Sequence, residues 1–190
     1  MAPPRKPPVE AKAVPGLKYF RPSPPLLARL HDVGTERDPA GNRRVFYDQY
    51  AALLLLFFFN PTLASLRALQ QASGLAKVQK KLGCGRVSLG SLSAAARDFD
   101  ADHLQAIFAE LVPRAGPLMT GKDAELSKGL TAVDGTLLPA LPKMAWALWR
   151  DDTHRAAKLH LHFDVVKGVP CSATITAGHG NEKAQLRAVL

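Results

Sequence analysis

The sequence is poor in cysteine and in acidic residues, and both shortages narrow the class of protein. Cys84 and Cys171 are the only two cysteines in 190 residues and have no paired spacing, so neither a disulfide framework nor a cysteine-based zinc site is expected. A reducing compartment suits this composition better. Asp and Glu number 16 against 25 Lys and Arg, a net charge of +9 that favours a polyanionic partner, most simply nucleic acid. An ordinary basic protein is the alternative.

Long hydrophobic segments are missing as well. The apolar run from Ala51 to Phe59 is far shorter than the roughly 20 residues of a membrane-spanning helix, and Asn60-Pro61 ends it. It therefore predicts a buried helix and no membrane partner. Residues 1–42 are basic and proline-rich but have no apolar core of a secretory signal. Because proline blocks helix formation, they predict an extended or disordered tail.

Helical periodicity dominates residues 43–117. Asn60 is a predicted N-cap with Pro61 at the first helical position, and Gly74 is the predicted end of that helix. Its apolar stripe is predicted to consist of Leu63, Leu66 and Leu69. A further amphipathic helix is expected to follow near Leu104 and to end before Pro113.

Between these lies the segment "GLAKVQKKLGCGRVSLGSLSAAARDF", which predicts helix, glycine-containing turn and second helix. This is the layout of a helix-turn-helix, whose second helix lies in the major groove of DNA. Ser88 is a plausible N-cap of the second helix, and Leu89, Leu92 and Ala96 are predicted to face inward. The predicted DNA contacts are Arg86, Ser88, Ser91 and Arg97, with Lys77, Lys80 and Lys81 near phosphates. A helical hairpin with a basic surface is the alternative.

After Pro117 the spacing of apolar residues changes from the helical period to the alternation that is typical of a β-strand. In "AAKLHLHFDVV" one predicted strand face carries Leu159, Leu161, Phe163 and Val165, and the other carries Lys158, His160, His162 and Asp164. The polar face superficially resembles a metal site, but polar or structural roles are expected for it. Lys167-Gly168 predicts a hairpin turn into "VPCSATITAG", and Asn181 predicts the start of a further helix.

The segment "KGLTAVDGTLLPAL" has two interpretations. Asp134-Gly135 between apolar runs is typical of a hairpin turn, because both residues tolerate positive φ. In the second interpretation Asp134 lies on a strand, which would hold its carboxylate rigidly as a catalytic site requires. The separate turn at Lys167-Gly168 favours the strand. Residues 118–190 then contain strand, connection, strand, strand and helix, which is typical of a domain that has been cut.

The segments "AVDGTLLPAL" and "AAKLHLHFDVVKGVPCSATITAGHGNE" resemble the DDE transposases of bacterial insertion sequences, in the insertion-sequence-four-like group. The resemblance implies an α + α/β protein. Residues 43–117 would be a helical DNA-binding region, and 118–190 the incomplete start, three strands and a helix, of a ribonuclease-H-like core. It also implies that Asp134 is the first of three carboxylates holding two Mg²⁺ ions for DNA strand cleavage and transfer.

The chain also departs from that pattern. The family's second Asp and its Glu would lie beyond Leu190, and the group's Tyr…Arg…Glu…Lys signature is absent. We therefore expect a truncated transposase that is inactive alone. Its expected partners are double-stranded DNA at element ends and either itself or the full-length transposase, in the bacterial cytoplasm with the nucleoid. A stand-alone DNA-binding regulator of transposition and a non-functional remnant are the alternatives.

Overall fold

The computed structural model describes residues 14–38, 41–139 and 155–179. The chain forms two compact units, residues 1–104 and 105–190. Helices and one small three-stranded antiparallel sheet make it an α+β protein. The helix predicted to begin near Asn181 lies outside the described residues.

The described helices are short, as the frequent Gly and Pro predict. The α-helices are α1 (Ser23–Leu27), α2 (Tyr47–Phe58), α3 (Leu66–Ser73), α4 (Ala76–Leu82), α5 (Leu89–Asp98), α6 (Asp102–Leu111) and α7 (Lys122–Leu126). Single 3₁₀ turns occupy Leu17–Phe20, Ala28–Leu30, Thr35–Arg37 and Val112–Arg114. None of the helices within the described ranges is long and apolar enough to cross a membrane.

The structure differs from the expected extended tail between residues 14 and 38. Here the chain forms short helical turns, and Leu27 and Leu30 are buried. Pro24 lies in the first turn of α1, where a missing backbone N–H leaves no helical hydrogen bond unmade. His31 Nδ1 lies 3.0 Å from Asp48 Oδ2 at the start of α2, which attaches this segment to the helical core. Apolar burial therefore outweighs the high proline content.

The predicted start of α3 is wrong by several residues. Ser65 is the N-cap, because its Oγ accepts a hydrogen bond from Ala68 N at 3.2 Å. Asn60 instead is buried, and its Nδ2 donates to the Leu56 carbonyl oxygen at 2.9 Å near the end of α2. An amide side chain can satisfy a free helix-end carbonyl as readily as it can cap an N-terminus, and the sequence alone does not separate the two roles.

The three leucines predicted to form one stripe on this helix do not lie together. Leu63 precedes α3 and is buried, and Leu69 is completely buried. Leu66 is 43% exposed, because α3 begins at that residue and turns it away from the core.

The sheet consists of β1 (Thr131–Pro139), β2 (Ala156–Asp164) and β3 (Val169–Ala177), in the order β1-β2-β3. Asp134 pairs with Leu161 in the middle of β1, so the hairpin interpretation of Asp134-Gly135 is wrong. The predicted hairpin at Lys167-Gly168 is confirmed. Asp164 Oδ1 accepts from Lys167 N at 2.9 Å, and Gly168 supplies the positive φ of 66° that the turn requires.

The alternation of β2 is confirmed, but its burial is the reverse of the apolar pattern. His160 and His162 are 0% and 1% exposed. Leu159 and Leu161, on the other face, are only partly buried. A bulge between His162 and Phe163 interrupts the pairing with β3.

Candidate nucleic-acid interface

One continuous part of the helical unit carries positive charge only. From Gln49 to Arg97 the chain has six Lys or Arg residues and no Asp or Glu. All six are exposed on α3, on α4, in the link that follows α4 or on α5, and we call them the basic surface: Arg67, Lys77, Lys80, Lys81, Arg86 and Arg97. No acidic side chain within this segment can neutralise them, so their fields add.

Five of these six cations are among the seven residues predicted to contact DNA. The structure also places Ser88 on the surface, but Ser91 is half-buried. Arg67 was not predicted, because it lies on the helix before the helix-turn-helix pattern. The acid-free interval, which the sequence shows directly, is the signal that identifies it.

Helix α3 fixes the geometry of the α4–α5 pair. Ser73, at the end of α3, is completely buried, and its Oγ accepts a hydrogen bond from Val87 N at 3.1 Å. The same hydroxyl donates to the Gln70 carbonyl oxygen at 2.7 Å. Cys84 and Val87 in the link are both 3% exposed. The link is therefore held against α3 and sets where α5 begins.

The link itself is longer than in a standard helix-turn-helix. Gly83 ends α4 in the left-handed conformation, with φ of 64°, and α5 begins only at Leu89. The intervening residues 83–88 exceed the usual turn of about three to four residues. The arrangement is thus three packed helices in which α3 contacts both α4 and α5.

The start of α5 is capped as predicted. Ser88 Oγ accepts from Ser91 N at 3.0 Å, and the two hydroxyl oxygens lie 2.8 Å apart. These hydroxyls are therefore engaged with each other and with the first turn of the helix. Their role is to fix the helix start.

The predicted inward side of α5 is only partly right. Leu92 is buried as expected, and Ala95 is the second buried residue. Leu89 is 40% exposed and Ala96 is exposed, so the prediction is wrong for both. A helix as short as α5 needs few apolar contacts, and packing against α3 selects which side is covered. The outer face of α5 comprises Leu89, Gly90, Ser93, Ala96 and Arg97.

A cavity of about 480 Å³ lies between the segment before α2 and α5. Arg43 and Arg44 line it, but so do Asp38 and Asp98, which balance their charge. Arg43 is held in place by its hydrogen bond to the Gly34 carbonyl oxygen at 2.8 Å and by the Phe99 ring, whose centroid lies 4.9 Å from its guanidinium carbon. The cavity therefore has no net preference for an anion.

Asp134 is exposed on β1. Because paired residues share a face, it lies on the side of Leu161 and Ala173, whereas Asp164 lies on the opposite side of the sheet. Within the described ranges no three His, Cys, Asp or Glu side chains form a group that could hold a metal ion. Asp134 supplies one carboxylate, whereas a pair of Mg²⁺ ions needs several carboxylates around one phosphate.

The buried thiol of the helical unit is not a nucleophile. Burial raises the pKa of Cys84 to about 11, and the nearby Asp48 carboxylate adds to the rise. The thiolate is the reactive form of cysteine, and it is scarce at neutral pH for such a group. Cys84 therefore contributes to packing, as its buried position in the link between α4 and α5 indicates.

Comparison with known proteins identifies no relative of this chain. No family model matches it, and neither a curated protein nor a solved structure matches it significantly. The function proposed for this chain therefore depends on its own sequence and structure.

Proposed function

We propose that this chain binds double-stranded DNA through the basic surface of α3, α4 and α5. The observation that carries the proposal is the exposure of six cations in a segment without a single carboxylate. A polyanion is the partner that gains most from such a surface, because each Lys or Arg placed at a phosphate releases condensed counterions. The basic surface also lies on short packed helices, which hold charges at fixed separations.

We further propose that the chain is part of a DDE transposase of the insertion-sequence-four-like group, with residues 118–190 as the start of a ribonuclease-H-like core. Two features support this: the motifs around Asp134, and a three-stranded antiparallel meander with Asp134 in the middle of its first strand. The parent enzyme would cleave and transfer DNA strands with Mg²⁺. Within the described ranges Asp134 belongs to no group of three possible metal ligands, and two Mg²⁺ ions need several carboxylates, so this chain is proposed to be inactive alone.

DNA binding is tested by the salt dependence of affinity. The slope of log K against log salt is negative for such binding, and replacing Lys77, Lys80 and Lys81 together by Ala should reduce its magnitude by about 2.7, since each neutralised phosphate contributes about 0.9. Fluorescence anisotropy with a labelled duplex at several salt concentrations measures this slope.

The matched control removes three exposed cations from the second unit: Arg114, Lys122 and Lys128. Both triple variants lose the same net charge, so non-specific attraction falls equally in each. If the control reduces the slope as much as the α4 variant does, the basic surface is not the binding site.

Catalysis is tested by incubating the chain with supercoiled plasmid and Mg²⁺. No nicking above background is expected, either for the natural sequence or for Asp134→Ala. Nicking that disappears in Asp134→Ala would show that the chain completes its own active site and would refute the proposed inactivity.

A regulator of transposition is the second candidate. It is favoured by the position of the basic surface, which lies within one compact unit while Asp134 lies in the other. Such a protein would bind element ends and reduce cleavage by the full-length enzyme at matching concentrations. A non-functional remnant would instead show no cooperative thermal unfolding by circular dichroism.

A further inference from the structure

We infer that the outer face of α5 reads DNA sequence, with Leu89, Ser93 and Arg97 as its specificity-determining residues. This inference rests on the proposed DNA binding and adds to it, since the basic surface alone carries no sequence information. It also replaces part of the sequence-based prediction, which assigned Ser88 and Ser91 to the DNA interface.

The hydrogen bonds of the first turn exclude Ser88 and Ser91 from base reading. The Ser88 hydroxyl accepts the Ser91 backbone N–H and contacts the Ser91 hydroxyl, and Ser91 is half-buried. The cap holds the Ser88 hydroxyl at the first turn, and its contact with the Ser91 hydroxyl uses hydrogen-bonding capacity that a base edge would otherwise take. These two serines are therefore positioning residues, which fix where α5 starts.

The outer face of α5 has the shape that a groove-binding helix needs. Gly90, Ser93 and Ala96 are exposed and small. The major groove is about 12 Å wide, close to the diameter of a helix with ordinary side chains. Small residues on the facing side let the helix backbone approach the base edges, so that longer side chains on the same face reach the floor of the groove.

Leu89, Ser93 and Arg97 are spaced four residues apart and form one row along this face. The three side chains differ in the base contacts that they can make. An exposed leucine offers an apolar contact to a thymine methyl group, a serine hydroxyl donates or accepts, and an arginine fork pairs with O6 and N7 of guanine. Asp98 directly follows Arg97 in the sequence, but its residue is half-buried whereas Arg97 is exposed.

The length of this row also predicts how many base pairs the helix contacts. From Leu89 to Arg97 there are eight helical steps, or about 12 Å along the axis. At about 3.4 Å per base pair, that length covers three to four base pairs. The preferred sequence should therefore contain a thymine and a guanine within about four base pairs of each other.

The test selects bound duplexes from a randomised library with the full chain and sequences them. Arg97→Lys keeps the charge but loses the fork, so discrimination at one guanine should fall about tenfold. Leu89→Ala should weaken the preference at a thymine, and Ser93→Ala the preference at a position between the two. Lys80→Ala, the control, should weaken binding to all sequences alike.

The outcomes separate this inference from the proposed function. Salt-sensitive binding without sequence preference, or a preference unchanged in Arg97→Lys, would overturn the inference and leave DNA binding standing. No binding by any variant would overturn both. Because the three residues are exposed, circular dichroism should show all variants folded.

Discussion

In the helical unit the most completely buried large side chains include Leu53, Leu56 and Leu69, whereas in the sheet they include His160 and His162. Ile175, on the opposite face of the sheet, is 59% exposed. Both regions have apolar residues at the spacing of their secondary structure. In the first the apolar residues form a core, and in the second the polar side of β2 is covered instead. Periodicity thus indicates which residues share a face, and it leaves open which face is covered.

The sheet compensates for part of this polar burial. His160 Nε2 lies 2.9 Å from Thr176 Oγ1, and that hydroxyl donates its proton to the Ala177 carbonyl oxygen at 3.1 Å. The ring must then be the donor in the first bond, so Nε2 carries the proton. His160 Nδ1 and His162 Nε2 are buried and accept or donate no hydrogen bond among the described residues. Each buried polar atom left without a partner lowers the stability of the sheet.

The largest effect is expected from Leu69→Ala in α3. The side chain is completely buried, so its loss should lower the free energy of unfolding by about 2–5 kcal/mol. Leu66→Ala in the same helix removes a side chain that is 43% exposed and should cost less than about 1 kcal/mol. Urea unfolding followed by circular dichroism measures both. Equal losses would mean that the predicted single stripe of leucines was right after all.

The sheet is tested by His160→Ala, which removes a fully buried ring and its hydrogen bond to Thr176. We expect a loss of about 1–3 kcal/mol. Ile175→Ala on the exposed face is the control and should change stability by no more than about 0.5 kcal/mol. Hydrogen exchange of the β2 amides reports the stability of this unit. A larger loss for Ile175 would reverse the assignment of the covered face.

A smaller loss, about 1 kcal/mol, is expected for Ser88→Ala, because the cap of α5 is removed. Ser93→Ala lies in the exposed interior of the same helix and should have almost no effect, since Ala favours the helix. Thermal unfolding compares the two variants. If they have the same melting temperature, Ser88 does not cap the helix in solution.

The last expected effect is absent at neutral pH, because the helical unit should lose stability only under alkaline conditions. Burial raises the pKa of Cys84 from about 9 to about 11, so the unfolded chain releases this proton first. Stability should be unaffected below pH 9 and should fall as the pH rises from 9 to 11. Cys84→Ala should flatten the slope in urea unfolding measured across this range. Burial also raises the pKa of Tyr47 and Tyr50 above the ordinary tyrosine value of 10.0, so part of the slope at still higher pH should remain.

Much of the helical unit could be predicted from local chemistry. Ser88 as a cap and Gly74 as a helix end depend on neighbours within one or two turns. The start of α3 was missed because Asn60 can satisfy either helix end. The short helices before α2 were missed because their stability comes from burial and from the His31–Asp48 contact, which joins residues distant in sequence.

The candidate site was predicted to a similar extent. Positive charge in a helical segment was visible in the sequence, and five of the six cations of the basic surface were named from it. Arg67 was missed because it lies outside the helix-turn-helix motif, although it lies within the acid-free interval. The contact between the Ser88 and Ser91 hydroxyls was not predicted, since the predicted cap needs only a backbone N–H of the first turn.

The sequence by itself determined the order of α2 to α6 and of the three strands, the Lys167-Gly168 turn, and a stretch of six cations without a carboxylate, because each depends on residues close together along the chain. Tertiary structure decided which side of α5 remains exposed, that the histidine side of β2 is buried, and that Asp134 and Asp164 lie on opposite faces. These outcomes depend on what packs against each helix or strand. The spacing of apolar residues along an element does not show which neighbouring element covers it.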